Sequence, residues 1–568
     1  MMGVGAKSVR LETHRQTFTY RPFAPYCFAL TTDNRRAMPN NMNTRHTPYT
    51  KASEQLIPNP VHILDSDGLF SFNSDIGIIY QKSLTSEAAL AAEEYARILG
   101  YGQSLPLYSE ECRDRSRGVS NITLSLGGVQ DIATESYTIE VTPRAISIVA
   151  NNSDGIWWGL QTIRQLLLSS GADIPCFTCT DFPRFSWRGF MLDSSRHFFT
   201  VGFIRKMLDV ASLHHLNRFH WHLVDDQGWR LPVPGYPELT ATGAYRMRLQ
   251  QSWDRIYGGY YTAEQIRDVV EYAARRHIMV IPEIETPGHA SALLAAYPEL
   301  GCTGGPYQVE DRWGIFEDVM CVGNDKVLEV LDTVFKTVAE LFPSPYIHIG
   351  GDECPRTRWK ECPRCRTRME QEGLGSVDEL QSWMTVQVAK LVNKYGRRAI
   401  GWDEVLDGTE TLGLPKDVIV MSWRGLEGGV KASALGHEVI MCPISTCYLD
   451  YKHLDSPEEP GNINIVTVQA AYEMDPIAPG MDDGQAKMVI GGQGNLWTEK
   501  VNWSKQAEYM YFPRLSALAE SFWSPKERKD FDSFRRRLPA LQSRLKALGF
   551  YFYQGALSEE ERPQPDGY

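Results

Sequence analysis

Residues 345–354 read Pro-Tyr-Ile-His-Ile-Gly-Gly-Asp-Glu-Cys. Tyr346 to Ile349 is a short aromatic and β-branched run, the pattern of a buried strand. Gly350-Gly351 ends it and permits a tight backbone turn. Asp352 and Glu353 then stand side by side at the strand's C-terminal end, which in a barrel of parallel strands is where active sites are built. Two adjacent carboxylates repel, which raises the pKa of one and favours a protonated acid beside an ionised partner. An exposed acidic turn would read the same way, so the decision rests on the flanking chain.

From Trp187 onward the rhythm is strand, loop, helix. Strands are expected at 187–193, 218–225, 278–284, 345–350, 398–402, 418–422, 438–442 and 489–495, with helices at 202–215, 262–276, 324–342 and 376–394. This pattern predicts an α/β fold, a (β/α)8 TIM-type barrel preceded by a smaller mixed α/β domain. A doubly wound open sheet is the alternative, but it would gather its ligand groups at one switch point. Here polar residues follow every strand: Asp193 to Phe198, His220 to Gln227, Glu283 to His289, Asp352-Glu353, Trp402-Asp403-Glu404, Trp423-Arg424, Tyr448 with Asp450, and Trp497 with Glu499. Carboxylates and indoles converging on one mouth describe a carbohydrate pocket, with acids for the glycosidic oxygen and flat rings for apolar sugar faces.

The rest of the chain sets bounds. With 568 residues it holds more than one domain. The expected divisions are a flexible leader at 1–55, an accessory domain at 56–180, the barrel at 181–525, and a C-terminal helix with a disordered tail at 526–568. In the accessory domain a helix is expected from Glu87 to Leu99, strands at 122–126, 136–141 and 146–150, and a second helix capped by Asp154. A net charge of −12 argues against nucleic-acid or anionic-membrane partners. No apolar run approaches the ~18 residues of a membrane helix. Phe23 to Leu30 is short and interrupted by Pro25, so no signal peptide is read and a cytoplasmic location is the expectation. The 11 cysteines include two Cys-x2-Cys pairs, Cys176/Cys179 and Cys362/Cys365, too far apart for a zinc ribbon. Cys302 and Cys321 bracket a Gly-rich loop and are bridgeable in an oxidising compartment, while Cys354, Cys362 and Cys365 suggest a rim metal or redox site.

Taken together, the motifs Asp-Ser-Ser-Arg-His-Phe at 193–198, His-Trp-His-Leu-Val-Asp-Asp-Gln at 220–227, Pro-Gly-His at 287–289 and His-Ile-Gly-Gly-Asp-Glu at 348–353 resemble glycoside hydrolase family 20, the β-N-acetylhexosaminidases. The resemblance runs from about Val61 to Pro525. It implies exo-acting, retaining hydrolysis in which the substrate's own 2-acetamido oxygen is the nucleophile, without a cofactor or metal. Carried over by motif, Glu353 is the general acid and base, Asp352 orients the acetamide and stabilises the oxazolinium charge, and Tyr448 donates to the acetamide oxygen. Trp402, Trp423 and Trp497 would wall the sugar. Arg196, Asp450 and Glu499 would hold its outer hydroxyls, with Asp225 and His289 positioning Glu353 from behind. The implied partner is a glycan or glycoconjugate ending in N-acetylhexosamine, and the resemblance leaves a periplasmic or secreted location open. Two alternatives are a lacto-N-biosidase specificity and a metal-dependent barrel hydrolase using His220, His222, His289, His348 and Asp352. A sugar-binding protein without catalysis would have no need of the Asp352–Glu353 pair.

Overall fold

A computed structural model describes residues 51–111, 121–129, 134–247 and 256–555. Tyr346–Gly350 forms the fourth strand of a closed parallel barrel, buried along its length after Tyr346. In chain order the eight barrel strands are Trp187–Asp193, Arg218–His222, Met279–Thr286, Tyr346–Gly350, Arg398–Trp402, Ile419–Ser422, Val439–Met441 and Val489–Leu496. The barrel closes where the eighth strand pairs with the first, from Gly491 opposite Trp187 to Leu496 opposite Leu192. The expected open-sheet alternative is thereby excluded.

The second strand departs from expectation. It ends at His222, and Val224–Asp225 folds back to pair with Gly228–Trp229. Asp226-Gln227-Gly228 supplies the turn-forming residues that make this hairpin. The outer helices begin where short polar side chains satisfy free N–H groups. Thr200 caps Val201–Leu213, Thr262 and Gln265 form a capping box on Ala263–Ala274, and Asn324 and Ser376 cap Asp325–Leu341 and Val377–Lys394.

The smaller domain is a seven-stranded mixed sheet covered by helices Thr85–Ile98 and Ser153–Ser170. Asn152, rather than Asp154, caps the second helix by accepting from Gly155 N–H; Asp154 lies in its first turn and pairs with His277 of the barrel at 2.5 Å. Arg188, fully buried in the first barrel strand, donates to both oxygens of Glu135 at 3.1 and 2.6 Å. Trp523 Nε1–H donates to Asp181 at 3.0 Å, so the chain after the barrel is fastened to the smaller domain.

Helix Phe531–Ala547 buries Phe534, Leu538, Leu541 and Leu545, as its spacing predicts. It packs against Ser153–Ser170 as well as the barrel, and Arg537 and Arg544 donate to the carbonyls of Leu56 and Gln55 at 2.7 Å. The end of the expected leader is therefore built in: Ala52–Glu54 forms a helical turn, with Ala52 and Gln55 buried. Residues 1–50 and the expected disordered tail after 555 lie outside the described residues. No described helix is long and apolar enough to cross a membrane.

Candidate active site

The turn after the fourth strand sets the site. Gly350 and Gly351 have φ of +69° and +108°, and a side chain on Gly350 would meet Glu285 Oε2 at 1.8 Å. Glu353 also has a positive φ, +45°. The result separates two neighbours: the Asp352 side chain is 10% exposed and that of Glu353 35% exposed. Both line a pocket of about 180 Å³ with Arg196, Trp423, Tyr448, Asp450, Trp497 and Glu499. Burial pushes the Asp352 carboxyl up to about 6; His289 opposes the rise, and the charges of Glu283 and Glu353 add to it. The expected repulsion between neighbours thus ranks behind desolvation.

Behind the pair sits His289, its Nε2 3.6 Å from carboxylate oxygens of both Asp352 and Glu353. Its Nδ1 faces Asp226 Oδ2 at 3.0 Å and Asp225 Oδ1 at 3.3 Å. Burial works against a charged ring, but Asp225 and Asp226 outweigh it and raise the His289 pKa well above the usual imidazole range. Asp225 also accepts from Arg196 and from His222 Nε2, each at 2.9 Å. Burial acts to raise its pKa, yet Arg196 and His289 hold it well below the ordinary carboxylate value.

Arg196 is fixed on several sides. Its Nε donates to Gln227 at 3.0 Å, and its guanidinium lies 4.9 Å from the centre of the Trp497 ring. Asp193 accepts from the backbone N–H groups of Ser195 and Arg196 and from the N–H and hydroxyl of Thr498. One carboxylate at the end of the first strand therefore positions Arg196 together with the Trp497–Glu499 segment after the eighth.

The aromatic side chains of Trp423, Tyr448 and Trp497 line the pocket. Trp423 stacks on Tyr448 with ring centres 5.9 Å apart, and its Nε1–H donates to Glu404 at 2.9 Å. Burial pushes the Tyr448 hydroxyl well up, so it is a donor at neutral pH. Trp402 is set deeper. Its Nε1–H donates to Glu283 at 2.8 Å, it is 1% exposed, and it backs Trp497 at 5.8 Å between ring centres. Glu283 is the reason: this buried carboxylate also faces His220 at 3.0 Å, His348 at 2.8 Å and His222. The histidines of the metal-hydrolase alternative are thus divided, with His220, His222 and His348 gathered on Glu283 and His289 held by Asp225 and Asp226.

Asp450 and Glu499 are both pushed up by burial and, for Asp450, by Glu499's charge, Asp450 to about 7. Each keeps one buried oxygen without a protein partner. Asn462 donates to the other Asp450 oxygen at 3.1 Å and lines the pocket with Ile444 and Tyr451. Sequence reading misses these three, and it names Asp193, Gln227 and Glu283 without a role. The last three stand inside quoted motifs, which is the signal that could find them; Asn462, in an ordinary-looking polar stretch, has none.

With this geometry in view, the similarity to known proteins becomes specific. Residues 185–526 match the catalytic domain of glycosyl hydrolase family 20, and residues 53–182 match domain 2 of the same family. The chain belongs to glycosyl hydrolase family 20. A β-hexosaminidase of Porphyromonas gingivalis is 38% identical over 88% of this chain, which spans 64% of that relative's length. A β-hexosaminidase of Akkermansia muciniphila is 34% identical, over 76% of this chain and 88% of its own. Among solved structures, the family 20 exo-β-N-acetylglucosaminidase of Vibrio harveyi, in complex with N-acetylglucosamine, has a TM-score of 0.80 at 32% identity, covering 89% of this chain and 79% of that one.

Proposed function

We propose that this family 20 chain is an exo-acting β-N-acetylhexosaminidase that releases terminal β-linked GlcNAc or GalNAc with retention, the substrate's acetamide serving as nucleophile. The observation that carries this reading is the separation of the two neighbouring carboxylates in one pocket, Asp352 nearly buried and Glu353 35% exposed. A general acid must reach the leaving oxygen, which joins the sugar to the rest of the glycan, so the more exposed carboxylate suits it. The deeper one suits the acetamide N–H, where an ionised Asp352 stabilises the positive charge that grows as the oxazolinium ring closes. Tyr448, kept protonated, donates to the acetamide oxygen and turns it toward the anomeric carbon. In the second step Glu353 removes a proton from water, which opens the oxazolinium from the face the aglycone has left.

Arg196 brings donors to the outer hydroxyls, and Asp450 and Glu499 offer their unpartnered oxygens. At about 180 Å³ the pocket is smaller than the ~300–1,000 Å³ typical of drug-sized ligands, which favours one sugar ring over the disaccharide of a lacto-N-biosidase. Chromogenic β-linked GlcNAc, GalNAc, glucose, galactose and lacto-N-biose substrates test the reading. Turnover confined to the two 2-acetamido monosaccharides is expected; release of an intact disaccharide, or comparable turnover of the glucoside, would overturn it.

A further inference from the structure

Away from the pocket, four cysteine sulfurs meet. Cys302 and Cys321 come from the loop after the third barrel strand, and Cys362 and Cys365 from the segment after the fourth. All four Sγ atoms lie within 4.8 Å of one another. Cys321 is 3.7 Å from both Cys362 and Cys365, and Cys302 is 3.8 Å from Cys365. Cys354 stands outside this group, its sulfur facing the Pro355 carbonyl at 3.9 Å. The sequence-based groupings, Cys302 with Cys321 and Cys354 with Cys362 and Cys365, are therefore replaced by one set drawn from both loops.

We propose that these four cysteines bind a structural zinc ion as a tetrathiolate. A tetrahedron with Zn–S bonds of ~2.3 Å has edges of about 3.8 Å, the spacing the sulfurs show. The coordination chemistry also fits: soft thiolates arranged tetrahedrally select zinc over the hard oxygen-seeking cations. Cys362-Pro363-Arg364-Cys365 places its second sulfur in the first turn of helix Pro363–Glu372, where free N–H groups favour negative charge. Arg364 lies beside Cys321 and Cys362 and donates to the Gly301 carbonyl at 2.7 Å, so a cation offsets the residual charge of a zinc tetrathiolate. Gly323 permits the approach of the two loops: a side chain there would meet the backbone of Arg364 and Cys365 at 2.2–2.4 Å.

The site is fully supplied by protein ligands, which is the arrangement of a structural zinc and leaves no open position for a substrate. Its effect reaches the pocket through the loop that Cys302 and Cys321 bound. Within that loop, Glu310 N–H donates to the Asp226 carbonyl at 3.0 Å, and the Arg312 carbonyl accepts from Gln227, which in turn holds Arg196. The Cys362 end lies shortly after Glu353. Zinc therefore staples together the two loops that carry the acid pair and support the arginine.

The test is elemental analysis of the full-length protein purified without added metal. One zinc per chain is expected, retained through dialysis against EDTA and released when a mercurial titrates the thiols. Exchange into cobalt(II) should give the visible d–d absorption of a tetrahedral thiolate site. Cys365→Ser should lose the zinc and several degrees of melting temperature, while Cys354→Ser should keep the zinc. If Cys365→Ser fails to fold, the wild-type zinc count and its mercurial release still decide. Wild-type protein without zinc, an intact mass showing these cysteines paired as disulfides, or iron in place of zinc would each overturn the proposal.

Discussion

Asp352 and Asp450 line the same pocket, and burial raises both, the first to about 6 and the second to about 7. Their surroundings answer that burial differently. Asp352 has His289, held charged by Asp225 and Asp226, 3.6 Å away. Asp450 has the neutral amide of Asn462 at 3.1 Å and a second acid, Glu499, that pushes it further up, a push that outranks the opposing charge of Arg514. A buried carboxylate backed by a cation is prepared to be ionised when positive charge develops beside it. One backed by an amide and another acid is prepared to trade hydrogen bonds with hydroxyls in either protonation state. In the proposed mechanism the first is chemistry and the second is recognition, and substitutions can separate the two.

The largest effect is expected just beyond Asp352. Glu353→Gln removes the proton donor while preserving shape, and should cost ~10²–10⁴-fold in kcat on substrates with poor leaving groups. Aryl glycosides with good leaving groups should lose less in the first step; an equal loss across a leaving-group series would remove the acid from Glu353. Asp352→Asn should cost about 10²–10³-fold in kcat, the size of one lost transition-state electrostatic contact. Along an acetyl, fluoroacetyl, difluoroacetyl and trifluoroacetyl series, wild-type kcat/KM should fall steeply, and in Asp352→Asn the slope should change. A flat wild-type series would mean that the acetamide is not the nucleophile.

His289→Gln tests the contrast directly. Since His289 opposes the upward shift of Asp352, its removal should raise the Asp352 pKa. The acid limb of the kcat/KM profile, expected near 6 in the wild type from the Asp352 carboxyl, should move to higher pH, and a one-unit move means about tenfold lower activity on that limb. An unmoved limb in a folded variant would break the link between the imidazolium and Asp352.

The smallest kinetic effect belongs to Asp450→Asn, which should raise KM about tenfold, in keeping with one charged hydrogen bond, with kcat little changed. The same substitution should alter stability in a pH-dependent way. A folded pKa raised above the unfolded value of 3.8 means that the folded state binds the extra proton. Below about 4 the aspartate therefore carries no ionisation cost; the cost grows as pH rises toward 7 and is constant above it. Asp450→Asn should melt higher than the wild type at pH 8 and at nearly the same temperature at pH 4. A wild type that melts higher at pH 8 would mean that Asp450 is well compensated after all.

The barrel is legible in the sequence because each strand is a short apolar run ending in polar residues. Tyr346–Gly350 and Arg398–Trp402 need no knowledge of their neighbours to be recognised. What stays hidden depends on partners distant in the chain. Trp402 reads as a sugar platform, and nothing local reveals that Glu283 captures its N–H and sets it behind Trp497. The hairpin at Val224–Trp229 is concealed by a continuous strand-like run. Asn462 carries no acidic or aromatic signal, and the cysteine set is invisible because each loop offers only two of its members. Residue types at strand ends announce chemistry; which side chain faces which is decided by packing between loops.

The seam between the first and last barrel strands has a consequence for how the protein comes into being. Thr498 N–H reaches the Asp193 carboxylate across 305 residues of chain. Trp523 reaches Asp181 across 342 and Arg544 reaches Gln55 across 489. While the ribosome is still short of the eighth strand, Asp352 and Glu353 have already been made, yet the nascent chain has neither Glu499 nor the segment that steadies Arg196. Long-separated pairings of this kind also form late. Catalytic competence therefore waits until the eighth strand and the Trp497–Glu499 segment that follows it have been made and paired with the first strand.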